Sequence, residues 1–230
     1  MTREVLLAPS ILGADPLNLG AAVDSILEHF DWLHVDVMDG HFVSNISFGP
    51  ATVKALREKY PNVFLDVHLM LDKLDIIMPV FVNSGASQVT IHAEVEPQLL
   101  HSRLSSVKNA GIKVGVAVAP LTPVEYVRPA LPIVDVVLLL SVTPGFGGQK
   151  LIESTLEKAR DLTRFRAAEG HGYLIEIDGG VKLDNVARVA AAGCDVVVMG
   201  NAVFGNSDPA DYLKKTKICL KEAIADACFR

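Results

Sequence analysis

The chain alternates short apolar runs, rich in β-branched residues, with longer amphipathic runs, at a spacing of roughly 25 to 30 residues that is typical of βαβ units. The apolar runs predict eight strands, at Val5–Pro9, Trp32–Val37, Phe64–Leu69, Gln88–His92, Lys113–Val118, Val134–Leu140, Tyr173–Ile177 and Val196–Met199. The amphipathic runs predict eight helices, at Asn18–His29, Ala51–Tyr60, Leu74–Ser84, Gln98–Asn109, Val124–Ala130, Ser154–Ala168, Leu183–Ala192 and Pro209–Ala225.

Eight strand–helix units in a chain of 230 residues predict an α/β fold of the (β/α)8 TIM-barrel class, as one domain over residues 1–230. The competing architecture is an open, doubly wound parallel sheet. Such a sheet favours a GxGxxG turn after its first strand, whereas the turn here reads Ser10-Ile-Leu-Gly-Ala-Asp15. The sequence therefore favours the closed barrel.

Polar side chains recur on one face of three predicted strands. Strands of a parallel barrel are buried on both faces and should read apolar throughout, so these exceptions are informative. Because alternate residues point the same way, the shared faces carry His34, Asp36 and Met38, then Asp66, His68 and Met70, then Glu176 and Asp178. These residues lie near the C-terminal ends of the strands, where barrel enzymes build their active sites.

A single histidine on a buried strand is more often a hydrogen-bonded core residue than a ligand. Two histidines and two aspartates converging from three strands are harder to explain in that way. Buried charges need partners or a metal, and no Lys or Arg shares these segments. The set predicts a divalent metal site suited to zinc, iron or manganese, with Asp39, Asp66 and Glu176 as candidate partners of the ligands.

Three consecutive strands are followed by glycine-rich segments, at residues 141–149, 178–180 and 200–202. Glycine lets backbone amides approach an anion, and a following helix N-terminus adds positive potential. In barrels of this class the loops after strands seven and eight commonly bind phosphate. The segments predict a phosphate site that requires no basic side chain.

Net charge and apolar content restrict the partners. A net charge of −6 argues against nucleic acid or an anionic membrane surface as the main partner. The longest apolar stretch, Ile133–Leu140, contains Asp135 and is far shorter than a membrane span. We expect neither a nucleic-acid nor a membrane partner.

Cysteine usage and the first residues bear on location. The three cysteines, Cys194, Cys219 and Cys228, include no CxxC pair and predict reduced thiols. The first ten residues contain no apolar run of signal-peptide length. We expect a cytoplasmic protein.

The motifs, taken together and in order, resemble those of the ribulose-phosphate 3-epimerase family, and the resemblance covers nearly the whole chain. They read Ala8-Pro-Ser-Ile-Leu12, His34-Val-Asp-Val-Met-Asp-Gly-His-Phe-Val43 with Asn45, Asp66-Val-His-Leu-Met70, Pro144-Gly-Phe-Gly-Gly-Gln149 and Asp178-Gly-Gly-Val181. The resemblance implies a ribulose-phosphate-binding barrel that converts D-ribulose 5-phosphate to D-xylulose 5-phosphate in the pentose phosphate pathway. It also implies a homo-oligomer, either a dimer or a hexamer.

The resemblance implies a role for each matching residue. One divalent ion per chain (Zn, Fe, Mn or Co) would be held by His34, Asp36, His68 and Asp178, and Asp36 and Asp178 would be the acid–base pair. The implied sugar-phosphate contacts are Ser10, His68, Gly145, Phe146, Gly147, Gly148, Asp178, Gly179, Gly180, Gly200 and Asn201. Two carboxylates on opposite sides of a planar enediolate can exchange the roles of base and acid with the direction of reaction, while the ion stabilises its charge.

Four positions depart from the family pattern, which often has Met, Thr, Ser or Thr, and Pro where this chain has Leu140, Ser141, Asn201 and Ser44. None of them is a predicted ligand. They leave open a rival substrate that is one carbon longer, D-allulose 6-phosphate, with the same chemistry.

Two further functions compete with epimerisation. A lyase resembling orotidine-phosphate decarboxylase or hexulose-phosphate synthase would carry an Asp-x-Lys-x-x-Asp pattern, but the stretch Asp36-Val-Met-Asp39 has no lysine. A barrel that only binds a sugar phosphate would be expected to lack a metal ligand or a carboxylate, and here all are present.

Overall fold

The computed structural model describes residues 4–228 of the chain, and its side chains as far as residue 225. Eight parallel strands form one sheet in the order β1-β8-β7-β6-β5-β4-β3-β2. The strands are β1 Leu6–Pro9, β2 Trp32–Met38, β3 Phe64–Met70, β4 Gln88–His92, β5 Lys113–Val118, β6 Val136–Leu140, β7 Leu174–Asp178 and β8 Val196–Met199. A parallel bridge between Ser10 and His34 joins the two ends of the sheet. The predicted barrel is confirmed, and every predicted strand is present to within two residues at each end.

Helices separate the strands and cover the outside of the barrel. They are α1 Leu19–Asp24, α2 Pro50–Lys59, α3 Leu74–Asn83, α4 Leu100–Asn109, α5 Thr155–Glu169, α6 Val186–Ala191, α7 Asn201–Phe204 and α8 Pro209–Cys228. None of the helices within residues 4–228 has the length and apolarity needed to cross a bilayer.

Two helix predictions need correction, and one helix was not predicted. The segment Val124–Ala130 lies where a helix was predicted but is a 3-10 helix, and Pro129 inside it has no amide hydrogen to donate. The first helix ends at Asp24 instead of His29, and the next residue, Ser25, turns its hydroxyl to the Ala22 carbonyl at 2.7 Å. The four-residue helix α7 was not predicted at all.

The two faces of each strand serve different purposes. On β2, Leu33, Val35 and Val37 face the helices and are almost completely buried in the main apolar core. The opposite face points into the barrel, where Asp66 and Glu176 are fully buried. The barrel interior is therefore partly polar and charged, and its acidic side chains need compensating partners.

Two of the three cysteines, Cys194 and Cys219, lie where the structure describes side chains. Cys194 is buried, and Cys219 is a half-buried free thiol, as predicted. The side chain of Cys228 lies outside the described residues.

The turn after β1 is pressed against the start of α7. A Cβ on Gly13 would lie 2.4 Å from the Gly200 carbonyl carbon and 2.6 Å from the Asn201 amide nitrogen. Both contacts are with backbone, which cannot rotate away as a side chain does. Only glycine fits at position 13, and this close approach positions the residue 200–201 segment at the end of the barrel.

We predict that Gly13→Ala lowers the free energy of unfolding by about 1–3 kcal/mol, because the added methyl group must push two backbone segments apart. Denaturant unfolding measures the change. Gly172→Ala is the matched control, since a Cβ there meets nothing within 4 Å. Equal effects of the two substitutions would contradict this explanation.

Candidate active site

One cavity opens at the C-terminal ends of the strands. It encloses about 670 Å³, counting the solvent at its mouth, which is room for a small phosphorylated sugar. Of the predicted substrate-contact residues, the cavity is lined by Ser10, Gly145, Phe146, Gly147, Gly148, Asp178, Gly179, Gly180, Gly200 and Asn201. The exception is His68, which is fully buried and does not line the cavity wall. Lys182 also lines the cavity and was not predicted.

The four predicted metal ligands come together beside this cavity. One ligand atom from each of His34, Asp36, His68 and Asp178 lies within 4.8 Å of the others. Strand register produces part of this convergence, because Asp36 on β2 is the direct neighbour of His68 on β3. The Asp36 Oδ1 atom is 3.2 Å from His34 Nε2 and 3.0 Å from His68 Nδ1. Asp36 therefore contacts both histidines of the cluster through one oxygen.

The two aspartates of the cluster have opposite acidities. Burial favours the neutral acid at Asp36, but the neighbouring His34 and His68 outweigh burial and hold the pKa of Asp36 far below its usual range. Burial and the nearby charge of Asp36 raise the pKa of Asp178 to about 7. At neutral pH the site holds one firmly ionised carboxylate and one that gains and loses a proton readily.

This donor set fits a divalent cation. Two imidazoles and two carboxylates form the mixed nitrogen and oxygen set that borderline ions prefer. The pKa of Asp178 is raised because this half-buried carboxyl is poorly solvated and because the charge of Asp36 is close to it. A cation held by these residues would offset the repulsion between Asp36 and Asp178.

His34 is oriented by a carboxylate on the side away from Asp36. Its Nδ1 is 2.5 Å from Asp66 Oδ2, and the other Asp66 oxygen accepts from Gln88 Nε2 at 2.7 Å. An ionised carboxylate can only accept, so Nδ1 of His34 carries the hydrogen and Nε2 faces Asp36. Burial opposes a charge on His34, but Asp36 and Asp66 outweigh it and raise the pKa of His34. A carboxylate behind a metal-facing histidine is a common arrangement in metal sites.

The other two candidate partners differ from each other. Glu176 is fully buried; neither of its oxygens makes a hydrogen bond within the described residues, but Oε1 lies 3.4 Å from His34 Nδ1. Burial and the charge of Asp66 raise the pKa of Glu176 well above its usual range. Asp39 instead accepts the backbone N–H groups of His41, Phe42 and Asp72 at 2.8–2.9 Å and fixes the loop after β2.

Two site residues were missed from the sequence. His92 Nε2 is 3.0 Å from His68 Nε2, and His92 Nδ1 is 3.0 Å from Glu94 Oε2. Strand β4 carries Gln88, Thr90 and His92 on one face, and all three are fully buried. The same alternation that revealed the polar faces of β2, β3 and β7 would have found His92.

Ser10 links the first strand to the cluster. Its Oγ donates to Asp36 Oδ2 at 2.6 Å and accepts the backbone N–H of Leu12 at 3.2 Å. Both oxygens of Asp36 are thus held. The carboxylate has little freedom to rotate away from the cavity.

Comparison with known proteins places this site in a family. Residues 6–204 match the model of the ribulose-phosphate 3 epimerase family. The chain belongs to this family. The chloroplastic ribulose-5-phosphate-3-epimerase of Arabidopsis thaliana is 42% identical over 222 residues, covering 96% of this chain and 79% of the relative. The ribulose-phosphate 3-epimerase of Serratia marcescens is 41% identical over 207 residues, covering 90% and 98%.

A solved structure adds the fold alone. The 3-hexulose-6-phosphate synthase of Salmonella typhimurium has a TM-score of 0.71 and 21% identity, over 95% of this chain and 100% of that one. Its name belongs to one of the rival lyase classes, but a likeness this distant reports a shared barrel and no shared chemistry. The ribulose-phosphate 3-epimerase family resemblance seen in the sequence is confirmed, and with it the prediction of an enzyme.

The raised pKa of Asp178 predicts a pH-dependent cost to stability in this epimerase-family barrel. The folded-state pKa of about 7 exceeds the ordinary value of 3.8, so the folded chain binds an extra proton between these pH values. Stability from this group is present below about pH 4 and is lost as the pH rises towards 7. In metal-free protein we expect Asp178→Asn to raise the Tm more at pH 8 than at pH 4.5.

Thermal unfolding in the presence of a chelator measures this difference. The exposed Asp184 provides the matched control, and Asp184→Asn should shift the Tm equally at both pH values. An Asp178→Asn shift that does not change with pH would contradict the electrostatic explanation.

Proposed function

We propose that the protein catalyses the metal-dependent epimerisation of D-ribulose 5-phosphate to D-xylulose 5-phosphate at C3. One observation carries the proposal. Two carboxylates of opposite acidity, Asp36 on β2 and Asp178 on β7, line the same cavity. Inversion next to a carbonyl requires removal of a proton on one side and its return on the other, which two such groups can perform.

The two carboxylates divide the work by protonation state. An ionised Asp36 accepts the C3 proton from one face, and a protonated Asp178 donates to the other face; in the reverse direction the roles exchange. In the metal-free site the pKa of Asp178 is about 7, so this carboxyl can be present as an acid or as a base near neutral pH. The hydrogen bond from Ser10 at 2.6 Å keeps Asp36 aimed at the cavity.

The intermediate between the two proton transfers is an enediolate, and its negative charge must be stabilised. The proposed ligands of a divalent ion, one per chain, are His34, Asp36, His68 and Asp178. Zn, Fe, Mn and Co are all compatible with these donors. When bound, the ion supplies Lewis-acid stabilisation of that charge.

The glycine-rich side of the cavity is the proposed site of the phosphate. The segments at residues 145–148, 179–180 and 200–201 line one cavity together with the carboxylates. Backbone amides of such segments can approach phosphate oxygens, and Lys182 adds a positive side chain nearby. Binding the phosphate away from C3 holds the reacting carbon between Asp36 and Asp178.

Two departures from the family pattern bear on substrate length. Leu140 lies directly beside Asp178 in the β6–β7 register and lines the cavity. The Asn201 side chain fills space next to the residue 145–148 loop, since its Oδ1 would be 2.8 Å from a Cβ on Gly147. Asn201 is larger than the usual Ser or Thr and reduces room at the phosphate end. The relatives that are 41–42% identical to this chain are named for ribulose phosphate, which supports the five-carbon substrate over D-allulose 6-phosphate.

We predict that the metal-loaded protein turns over D-ribulose 5-phosphate with a higher kcat/KM than D-allulose 6-phosphate. A coupled assay for each product, run side by side after loading with zinc, manganese or iron, makes the comparison. Preference for the six-carbon sugar would keep the mechanism and overturn the substrate. Failure to turn over either sugar would point to a binding protein.

We also predict that Asp36→Asn and Asp178→Asn each lower kcat by at least about 10²–10⁴, because each removes one proton-transfer group and one proposed ligand. Steady-state kinetics on folded, purified variants measures the loss. Asp184→Asn, on the exposed surface, should keep the activity of the parent protein. Full activity in either Asp36→Asn or Asp178→Asn would exclude the two-carboxylate mechanism.

The remaining expectations concern the setting of this activity. We propose a single barrel domain over residues 1–230, working as a homo-oligomer (dimer or hexamer) in the cytoplasm on a small sugar phosphate. The half-buried free thiol of Cys219 is compatible with a reducing compartment. The oligomer is expected from the family resemblance.

A further inference from the structure

A series of hydrogen bonds runs from the proposed metal site to Glu94, just after the end of β4. His68 Nε2 is 3.0 Å from His92 Nε2, and His92 Nδ1 is 3.0 Å from Glu94 Oε2. The other oxygen of Glu94 accepts the backbone N–H of Ala119 at 2.9 Å. The Phe42 ring packs on the His92 ring with centroids 4.6 Å apart. His68 and His92 are fully buried.

The hydrogen atoms of this series can be placed by starting at Glu94. Glu94 is ionised, since burial is outweighed by its hydrogen bonds, which lower its pKa to about 2. An ionised carboxylate only accepts, so Nδ1 of His92 carries a hydrogen. A neutral imidazole carries only one hydrogen, so with that hydrogen on Nδ1 the Nε2 of His92 is a bare acceptor.

The hydrogen between His68 and His92 can then be assigned to one nitrogen. Two ring nitrogens 3.0 Å apart need one hydrogen between them, and because His92 Nε2 has none, His68 must donate from its Nε2. In a neutral His68 the lone pair is therefore on Nδ1. That is the nitrogen that lies 3.0 Å from Asp36 Oδ1, inside the four-residue cluster.

We infer that His92 and Glu94 are positioning residues that fix His68 in the tautomer whose Nδ1 lone pair can bind a divalent metal ion. The inference rests on the metal centre of the proposed function and extends it to two residues outside the ligand set. The tautomer of His34 is fixed directly by Asp66, whose carboxylate accepts from Nδ1. The tautomer of His68 is fixed through the ring of His92, because His92 lies next to its Nε2 and the Glu94 carboxylate lies on the other side of that ring.

We call the hydrogen-bonded series His68–His92–Glu94 the relay. The matched pair His92→Gln and His92→Met tests whether the relay fixes the His68 tautomer. The two new side chains are close in size, but only Gln can place an acceptor oxygen where His92 Nε2 lies. We expect His92→Met to weaken Zn²⁺ binding by about 10–100-fold, the usual effect of losing a partner of a metal ligand, while His92→Gln recovers most of the affinity. Competition with a chromophoric chelator at fixed pH measures the affinity without any assay of turnover, and the Co²⁺ absorption spectrum reports whether the ligand geometry is kept.

Glu94→Gln is a second, independent variant. Its amide keeps only one acceptor oxygen for the two donors, Ala119 N–H and His92 Nδ1–H, so the His92 tautomer is no longer enforced. We expect weaker Zn²⁺ binding here too. Glu153→Gln, on the exposed surface, should leave the affinity unchanged.

The outcomes separate the relay from the metal centre. Zn²⁺ affinity in His92→Met within twofold of the parent, or an equal loss in His92→Gln and His92→Met, would overturn the relay while leaving the metal centre intact. Absence of Zn²⁺ binding by the parent protein would overturn the metal centre itself, and the relay with it.

Discussion

The structure depends on the compensation of negative charge inside the barrel. Asp36 is almost completely buried, and it is tolerated there because Ser10 donates to one of its oxygens and the imidazole of His34 lies 3.2 Å from the other. A second acid, the half-buried Asp178, is only partly compensated, and its raised pKa reflects its poor contact with solvent and the nearby charge of Asp36. The same imperfection gives the site its chemistry, because a carboxyl group with a pKa near 7 exchanges protons at neutral pH and accepts a cation readily.

The charged cluster is supported on two sides by groups that face away from the cavity. Asp66 and Gln88 hold His34, and His92 with Glu94 holds His68. Interior strand faces supply nearly all these side chains, so their spacing is set by the sheet register and not by flexible loops. Loops contribute elsewhere: Asn45 Nδ2 donates to the Gly145 carbonyl at 2.9 Å and ties the loop after β2 to the loop after β6 above the cavity.

Much of this could be read from the sequence, for a physical reason. A parallel barrel strand should be apolar on both faces, so each ionisable residue on a strand marks either a partner or a function. That reasoning located His34, Asp36, His68 and Asp178. It would have located His92 as well, had the polar face of β4 been read in the same way. The helix α7 was beyond reach, because four residues are too few to show a helical period.

Other features depend on distances that no pattern encodes. The opposite acidities of Asp36 and Asp178 follow from which imidazoles lie near which carboxylate, and alternation fixes the face of a residue but not that separation. The predicted α-helix at residues 124–130 became a 3-10 helix, although its bounds were correct. Its apolar positions are compatible with both helical forms, and Pro129 interrupts the backbone hydrogen bonding of either one.

The central claim is that two different carboxylates act on the two faces of C3, and the origin of the hydrogen in the product tests it most directly. The metal-loaded protein is given D-ribulose 5-phosphate in D2O, and both sugars are analysed by mass spectrometry and NMR at low conversion. We expect deuterium at C3 of the newly formed D-xylulose 5-phosphate and ordinary hydrogen at C3 of the unreacted substrate, since the acid that donates is not the base that accepted. Product that retains the substrate's own C3 hydrogen would contradict the account, because a single group would then have carried the proton from one face to the other.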